Sequence, residues 1–348
     1  MPKSYEEYPW IYSTTSNFGG GRIIDGSVPE FLCDPYDELM KENSHMVGIG
    51  MTMEAVTTDE IIYEALSENA IRDYKISLDK YVNKYVGYRY GTDNKDAKKA
   101  IQIIAEKILR IDMELRKFSG RESSLCARPS IDADRVSTCA GSLKISYNEN
   151  DLVEALRLLY SAYDELKDNE SYRFDLMDIA RQTVANKSWH YLSEIKAAYD
   201  AYDIEQFIVN TAKYLDLFDV QEKLLMTNKH TMLGTWLKQA EDYAQSPAEA
   251  CEFKFIAKNM ITLWCPKESS DQLRDYAHKE WSGMMDFYKA RWSIYFNQLT
   301  IYFKKRDEMP EIDWKEFDYC FALSNKEYPT EPAGDLKSAV ERALKIHG

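Results

Sequence analysis

The feature that most constrains this chain is a change of hydrophobic period near residue 58. Before it lie two short β-prone runs, residues 10–15 and 46–51, and glycine clusters at Gly19-Gly20-Gly21 and Gly48/Gly50. After it, apolar residues recur at spacings of three and four almost to the end, which is the helical period. The longest such pattern is Leu273, Ala277, Trp281, Met284, Tyr288, Trp292, Tyr295 and Leu299. It predicts one long amphipathic helix packed in a bundle, its aromatics serving as core. Shorter stripes run through Leu152, Ala155, Leu156, Leu159 and Tyr163, and through Ile204, Phe207, Ile208, Thr211, Leu215 and Phe218. The fold class that follows is mainly α, with a small strand-bearing segment ahead of a large helical domain and a boundary near residue 75.

Local signals agree. Thr57 and Glu60 form a capping box opening a helix through Ile61, Ile62, Ala65 and Leu66. Ser246, Pro247 and Glu249 supply an N-cap, a first-turn proline and a capping glutamate for a helix leading to Trp264. Loops are expected at residues 120–140, 265–270 and 328–334. No repeat of fixed period is visible.

Composition excludes several functions. With 348 residues the chain has ample sequence for a core. Its net charge of −14 argues against nucleic acid or an anionic membrane surface as partner. No apolar run reaches the ~20 residues that span a bilayer, and the opening MPKSYEEYPW lacks a signal-peptide pattern. The six cysteines, Cys33, Cys126, Cys139, Cys251, Cys265 and Cys320, form no C-x-x-C pair, and most are expected as buried thiols. The five histidines show no H-E-x-x-H spacing, the glycine cluster lacks the lysine of a phosphate loop, and no G-x-S-x-G elbow occurs. Metal, nucleotide and serine-nucleophile chemistry are therefore not indicated, and no cofactor is expected. Asn169 and Asn186 open two N-glycosylation triplets.

Glu54 stands out by position. It ends the apolar run Met46, Val47, Ile49 and Met51 and precedes a capped helix, where a (β/α) barrel displays catalytic groups. A carboxylate there can act as the nucleophile of a retaining glycosidase; the plainer alternative is a glutamate favoured by the helix dipole. Asn17-Phe18-Gly19-Gly20, after the first β-prone run, is either an ordinary turn or an amide with backbone donors beside a sugar. Trp264, two residues before Pro266, is either core or a stacking surface for a pyranose.

Read together, these segments resemble the α-N-acetylglucosaminidases, glycoside hydrolase family 89. Pro9-Trp10-Ile11-Tyr12 through Asn17-Phe18-Gly19-Gly20 is similar to the family's strand ending in H-N-F-G-G. Residues 46–54 are similar to its V-G-T-G-M-A-P-E segment. Arg128-Pro129-Ser130, Arg173-Phe174-Asp175-Leu176 with Arg181-Gln182, and Leu233-Gly234-Thr235-Trp236-Leu237 follow in the family's order. Asn259 to Trp264 resembles N-x-x-T-L-W, Asp275-Tyr276-Ala277 resembles D-Y-A-N-K, and Ser282-Gly283 with Tyr288 to Trp292 resembles its helix ending in P-R-W.

The resemblance implies a (β/α)8 catalytic barrel followed by an all-α domain. Residues 1–75 then correspond to the last two β/α units of an incomplete barrel, and residues 76–348 to the helical domain. It implies Glu54 as nucleophile, Trp264, Leu273 and Tyr276 as sugar-pocket residues of the helical domain, and Tyr12 and Asn17 at the pocket's border. It further implies a lysosomal or secreted setting and a heparan-sulfate-like glycan ending in α-linked N-acetylglucosamine. The family's acid/base glutamate belongs to an earlier strand, so the missing N-terminal part of the barrel is an implied partner. Self-association into a homo-oligomer is left open. Departures from the pattern are Tyr12 for tryptophan, Ser16 for histidine, Met53-Glu54-Ala55 for P-E-G, and Cys265 for the glycine before Pro266. The alternative, from another class, is a catalytically inactive helical binding or scaffold protein derived from this family.

Overall fold

A computed structural model describes residues 8–54, 60–110, 121–137, 145–269 and 273–348. They divide into two compact units, one of Met1–Arg121 with Lys144–Leu176 and one of Glu122–Leu143 with Met177–Gly348.

In the first unit, strand β1 (Trp10–Ser16) and strand β2 (Met46–Met53) pair in parallel, Ile11 against Gly48 through Ser16 against Met53. Parallel neighbours need a crossover, and helix α1 (Val28–Leu39) supplies it, started by Pro29 in its first turn. Val28, Phe31 and Leu32 of α1 are buried. Helix α2 (Glu60–Glu68) buries Ile61, Ile62, Ala65 and Leu66, the face its spacing predicts. Thr57, the other half of the expected capping box, lies outside the described residues.

Helix α3 (Leu78–Tyr90) is capped by Ser77 and stopped by Gly91 at φ 66°, a left-handed terminator that glycine adopts without penalty. Asn94 caps helix α4 (Lys95–Ile103) and Asn148 caps helix α5 (Glu149–Ser161). Leu152, Ala155, Leu156 and Leu159 of α5, with Tyr163 of the single turn α6 (Tyr163–Leu166), are all buried, as their spacing predicts. Asp175 closes this unit's polar interior. Its two oxygens take both arms of Arg89 at 2.6 Å, and one also accepts from the Tyr90 hydroxyl at 2.7 Å.

Helix α7 (Glu170–Asp200) contributes to both units. The second unit continues with α8 (Ile204–Leu225), α9 (Leu233–Glu241), α10 (Pro247–Met260), α11 (Met284–Ile301), α12 (Trp314–Leu323) and α13 (Leu336–Lys345). Its core is aromatic: Tyr214 and Phe207 of α8 meet Trp292 and Phe296 of α11, ring centroids 4.9–6.3 Å apart.

Three expectations need correction. The stripe from Leu273 to Leu299 is not one helix: α11 starts only at Met284, after Gly283 at φ 88°, and residues 273–282 form turns and extended chain. A backbone turn with positive φ ends helical continuity whatever the side-chain period. On α8 the buried face runs through Phe207, Tyr214, Leu217, Phe218 and Leu224, while Ile208 is exposed. Most cysteines were expected as buried thiols; among those described only Cys126 is buried, Cys33 and Cys265 are partly exposed, and Cys251 and Cys320 are exposed. Cys139 lies outside the described residues.

Two charge clusters sit inside the second unit. Arg181, buried, binds Asp178 at 2.7 Å and Glu280 at 2.6 Å, and Gln221 donates to the other Glu280 oxygen. Arg291 and Arg128 share Asp275 and Asp318. Pairing of opposite charges is what lets them stay away from water, since an unpaired buried ion costs several kcal/mol.

Candidate active site

In the first unit, the end of β2 delivers Glu54 beside the turn that follows β1. Asn17 adopts a left-handed conformation (φ 45°, ψ 51°), which asparagine tolerates better than most residues, and Gly19 follows at φ 68°. This places the Gly19 N–H 2.6 Å from Oε2 of Glu54, and Asn17 Oδ1 accepts from the Glu54 N–H at 3.2 Å. The side chain of one turn thus holds the backbone of Glu54 while the backbone of that turn holds its carboxylate. A carboxylate that accepts from a backbone N–H is held in direction as well as in place.

Asn17, Gly19 and Glu54 are therefore brought together, and Tyr12 is not brought to them. Tyr12 shares a face of β1 with Thr14, and burial with the carboxylates of Asp34, Glu30 and Glu38 on α1 pushes its hydroxyl pKa upward. The side chain of Ser16 lies outside the described ones.

In the second unit, Trp264, Leu273 and Tyr276 form one corner. The chain leaves α10 through turns in which the Asn259 carbonyl accepts from Thr262 (3.1 Å) and Trp264 (2.8 Å). Asp275 N–H donates to the Thr262 carbonyl at 2.7 Å and Tyr276 N–H to the Leu273 carbonyl at 3.0 Å. The Trp264 and Tyr276 rings meet edge to face, centroids 5.5 Å apart at 87°. Trp264 and Leu273 remain more than a third exposed, so this corner offers an apolar surface to solvent. Trp264 also lines a cleft of about 700 Å³ with Phe255, Ile256, Met260 and Tyr319.

Beneath the corner lie titratable groups. Burial raises the Glu122 pKa, opposed by His278, whose Nε2 stands 3.7 Å from its carboxylate. Burial pushes the neighbouring Lys279 ammonium down to about 8, with Glu122 opposing. The His278 ring contacts the Asp275 carbonyl at 2.8 Å.

One glycosylation triplet lies within α7 and the other opens one residue before it. Asn186 is buried, its Oδ1 accepting from Gln182, with Ser188 equally buried. Asn169, at the start of the helix, donates to the Arg89 carbonyl and accepts from the Tyr172 N–H. Among the described residues no group of three or more His, Cys, Asp or Glu side chains is placed to hold a metal, and no helix is long and apolar enough to cross a membrane.

The sequence reading missed Arg128, Arg291 and Asp318 as a set around Asp275. The signal was present in Arg291 itself, an arginine next to Trp292 inside an otherwise apolar stripe.

Comparison with known proteins places these features. Residues 81–345 match the family model of the α-N-acetylglucosaminidase C-terminal domain, and residues 1–73 that of its tim-barrel domain. The chain is 28% identical to human α-N-acetylglucosaminidase over 99% of its own length and 45% of that protein. It is 29% identical to a family 89 glycoside hydrolase from Clostridium perfringens solved with PUGNAc, covering 97% of this chain and 39% of that one at a TM-score of 0.90. A further structure of the bacterial enzyme, with two glutamates changed to glutamine and its substrate GlcNAc-α-1,4-galactose bound, matches equally well (29% identity, the same coverage, TM-score 0.90). The chain spans less than half the length of these relatives.

The chain is mainly helical, as the sequence indicates. The chain belongs to the α-N-acetylglucosaminidase family, glycoside hydrolase family 89.

Proposed function

We propose that this chain is part of a retaining exo-α-N-acetylglucosaminidase that removes terminal α-linked N-acetylglucosamine from heparan-sulfate-like glycans, with Glu54 as nucleophile. The observation that carries the reading is the reciprocal pair between Glu54 and the turn at Asn17 and Gly19, which aims a carboxylate from the end of a strand. The bacterial relative solved with its substrate GlcNAc-α-1,4-galactose, and also with PUGNAc, supports the substrate class.

On this reading an oxygen of Glu54 attacks the anomeric carbon. The bond to the leaving sugar breaks, its electron pair goes to the glycosidic oxygen, and a second carboxylic acid protonates that oxygen. Water then cleaves the glycosyl–Glu54 ester with the second group acting as base, the two carboxyls standing about 5–5.5 Å apart. No residue of this chain is assigned that second role; it falls to an earlier strand of the complete barrel, here taken as a partner. Tyr12 and Asn17 border the sugar in the barrel portion; Trp264, Leu273 and Tyr276 are the residues of the helical domain that the family resemblance assigns to sugar binding; no cofactor enters. The barrel portion is taken as residues 1–75 and the helical domain as residues 76–348, in a lysosomal or secreted protein.

The rival reading is a catalytically inactive binding protein. It is favoured by Tyr12 and Ser16, which stand where the family has tryptophan and histidine. Hydrolysis of a chromogenic α-N-acetylglucosaminide at acidic pH by the native chain and by Glu54→Gln separates the two. Loss of activity in Glu54→Gln by about 10³-fold or more supports the nucleophile. Equal activity in both proteins removes Glu54 from the mechanism, and no turnover by either folded protein means an incomplete fragment or a binding remnant.

A further inference from the structure

The corner that presents Trp264 and Tyr276 is conformationally expensive. Trp264 has φ 68° and Asp275 φ 55°; the left-handed region is uncommon for a bulky residue such as tryptophan and more readily adopted by aspartate. The Trp264 N–H donates to the Asn259 carbonyl, and the Asp275 N–H, donating to the Thr262 carbonyl, ties the second turn to the first. The constraint comes from beneath. Asp275 is 1% exposed, and its Oδ1 accepts from Arg291 Nη1 at 3.0 Å while Arg128 Nη2 stands 3.3 Å from Oδ2.

Both guanidiniums continue to Asp318, Arg128 at 2.7 Å and Arg291 through Nε at 2.9 Å and Nη2 at 2.6 Å. Two cations and two anions make a neutral set, and its members come from far apart in sequence: Arg128 from a loop, Arg291 from α11 and Asp318 from α12. Arg291 is packed in turn over the Phe287 ring at 4.4 Å. A carboxylate paired with two guanidiniums in this way is anchored, and it stands one residue before Tyr276, in the turn that carries that ring.

We propose that Asp275 is a positioning residue for sugar recognition: its carboxylate, held by Arg291 and Arg128, sets the Trp264–Tyr276 corner against which an N-acetylhexosamine packs. The proposal rests on the sugar-binding reading above. Asp275 itself touches no substrate; it acts through the rings beside it. The competing account is that the four charges only stabilise the unit.

The test uses the whole chain as native protein, Asp275→Asn, Arg128→Gln, Trp264→Ala and the Asp275→Asn/Trp264→Ala double variant. One readout is the indole N–H resonance of Trp264, assigned by its disappearance in Trp264→Ala. The other is affinity for 2-acetamido-1,2-dideoxynojirimycin, the iminosugar bound by a bacterial relative. Asp275→Asn is expected to move the Trp264 resonance and weaken binding about tenfold, with the double variant binding no more weakly than Trp264→Ala alone. A folded Asp275→Asn whose Trp264 resonance is native overturns the proposal, as does a loss that adds in full to that of Trp264→Ala. If Asp275→Asn does not fold, Arg128→Gln, which leaves the Arg291 contacts in place, decides by the same resonance. A native chain that does not bind the iminosugar would sink the sugar-binding reading, and the resonance would still decide whether Asp275 sets the corner.

Discussion

At the scale of single residues, the molecule shows where side-chain identity is fixed by close approach. A Cβ on Gly234 would lie 2.0 Å from the Pro329 carbonyl oxygen and 2.6 Å from that of Tyr328, so the segment crossing the start of α9 tolerates only hydrogen there. Gly234→Ala is expected to cost about 3 kcal/mol, read as a lower midpoint in urea at unchanged slope. The sequence singled out Gly234 only as part of a family landmark, because nothing local to it announces a carbonyl from almost a hundred residues away. Glu54 was legible, since a strand end followed by a helix is a local pattern. Its partners Asn17 and Gly19 were legible as residues but not as hydrogen-bond partners, because their pairing depends on the left-handed turn. Asn186 illustrates the opposite error of a triplet motif: its amide is interior, so a glycan there would have to displace the packing of α7.

At the scale of elements, stop signals decided more than periodicity did. The start of α10 was readable in full: Ser246 Oγ accepts from the Glu249 N–H, and Pro247 takes the first turn. The Glu249 carboxylate reaches back one residue beyond the usual capping box, to the Gln245 N–H at 2.6 Å. Ser246→Ala is expected to destabilise the second unit by about 1 kcal/mol, measurable by thermal unfolding, with Ser246→Asp nearly neutral. The stripe leading into α11 misled because Leu273, Ala277 and Trp281 keep helical spacing while belonging to turns and extended chain. Ala277 is buried there by tertiary contact alone. The same competition explains α8, where Ile208 satisfies a sequence stripe yet faces solvent, the buried arc having turned toward Tyr214 and Leu217.

At the scale of the whole molecule, buried acids set how stability responds to pH. Burial raises the pKa values of Glu60, Glu122, Glu222 and Asp318, for each the largest influence. A carboxyl whose folded pKa is raised binds its proton more tightly in the folded state, so between the unfolded value near 4 and the raised one stability falls as pH rises. Lys279, pushed down to about 8, works the other way only above that pH. The melting temperature is therefore expected to rise as pH falls toward the unfolded carboxylate value, and Glu122→Gln is expected to flatten that slope; a Glu122→Gln variant with the native slope would contradict the account. This acid preference was invisible in the formal charge of −14, which counts groups without their surroundings. The mainly helical architecture was legible because amphipathic spacing repeats over most of the chain, whereas the ionic interior was not, since its members meet only after folding. The reciprocal hold on Glu54 has one more consequence, in the order of folding events. Asn17 and Glu54 are 37 positions apart, and closing a loop of that length costs about 3 kcal/mol of chain entropy before either bond can form. Neither bond can seed the structure, so the nucleophile candidate is aimed only after β1 and β2 have zipped together. A nascent chain halted before that moment carries the glutamate without its direction.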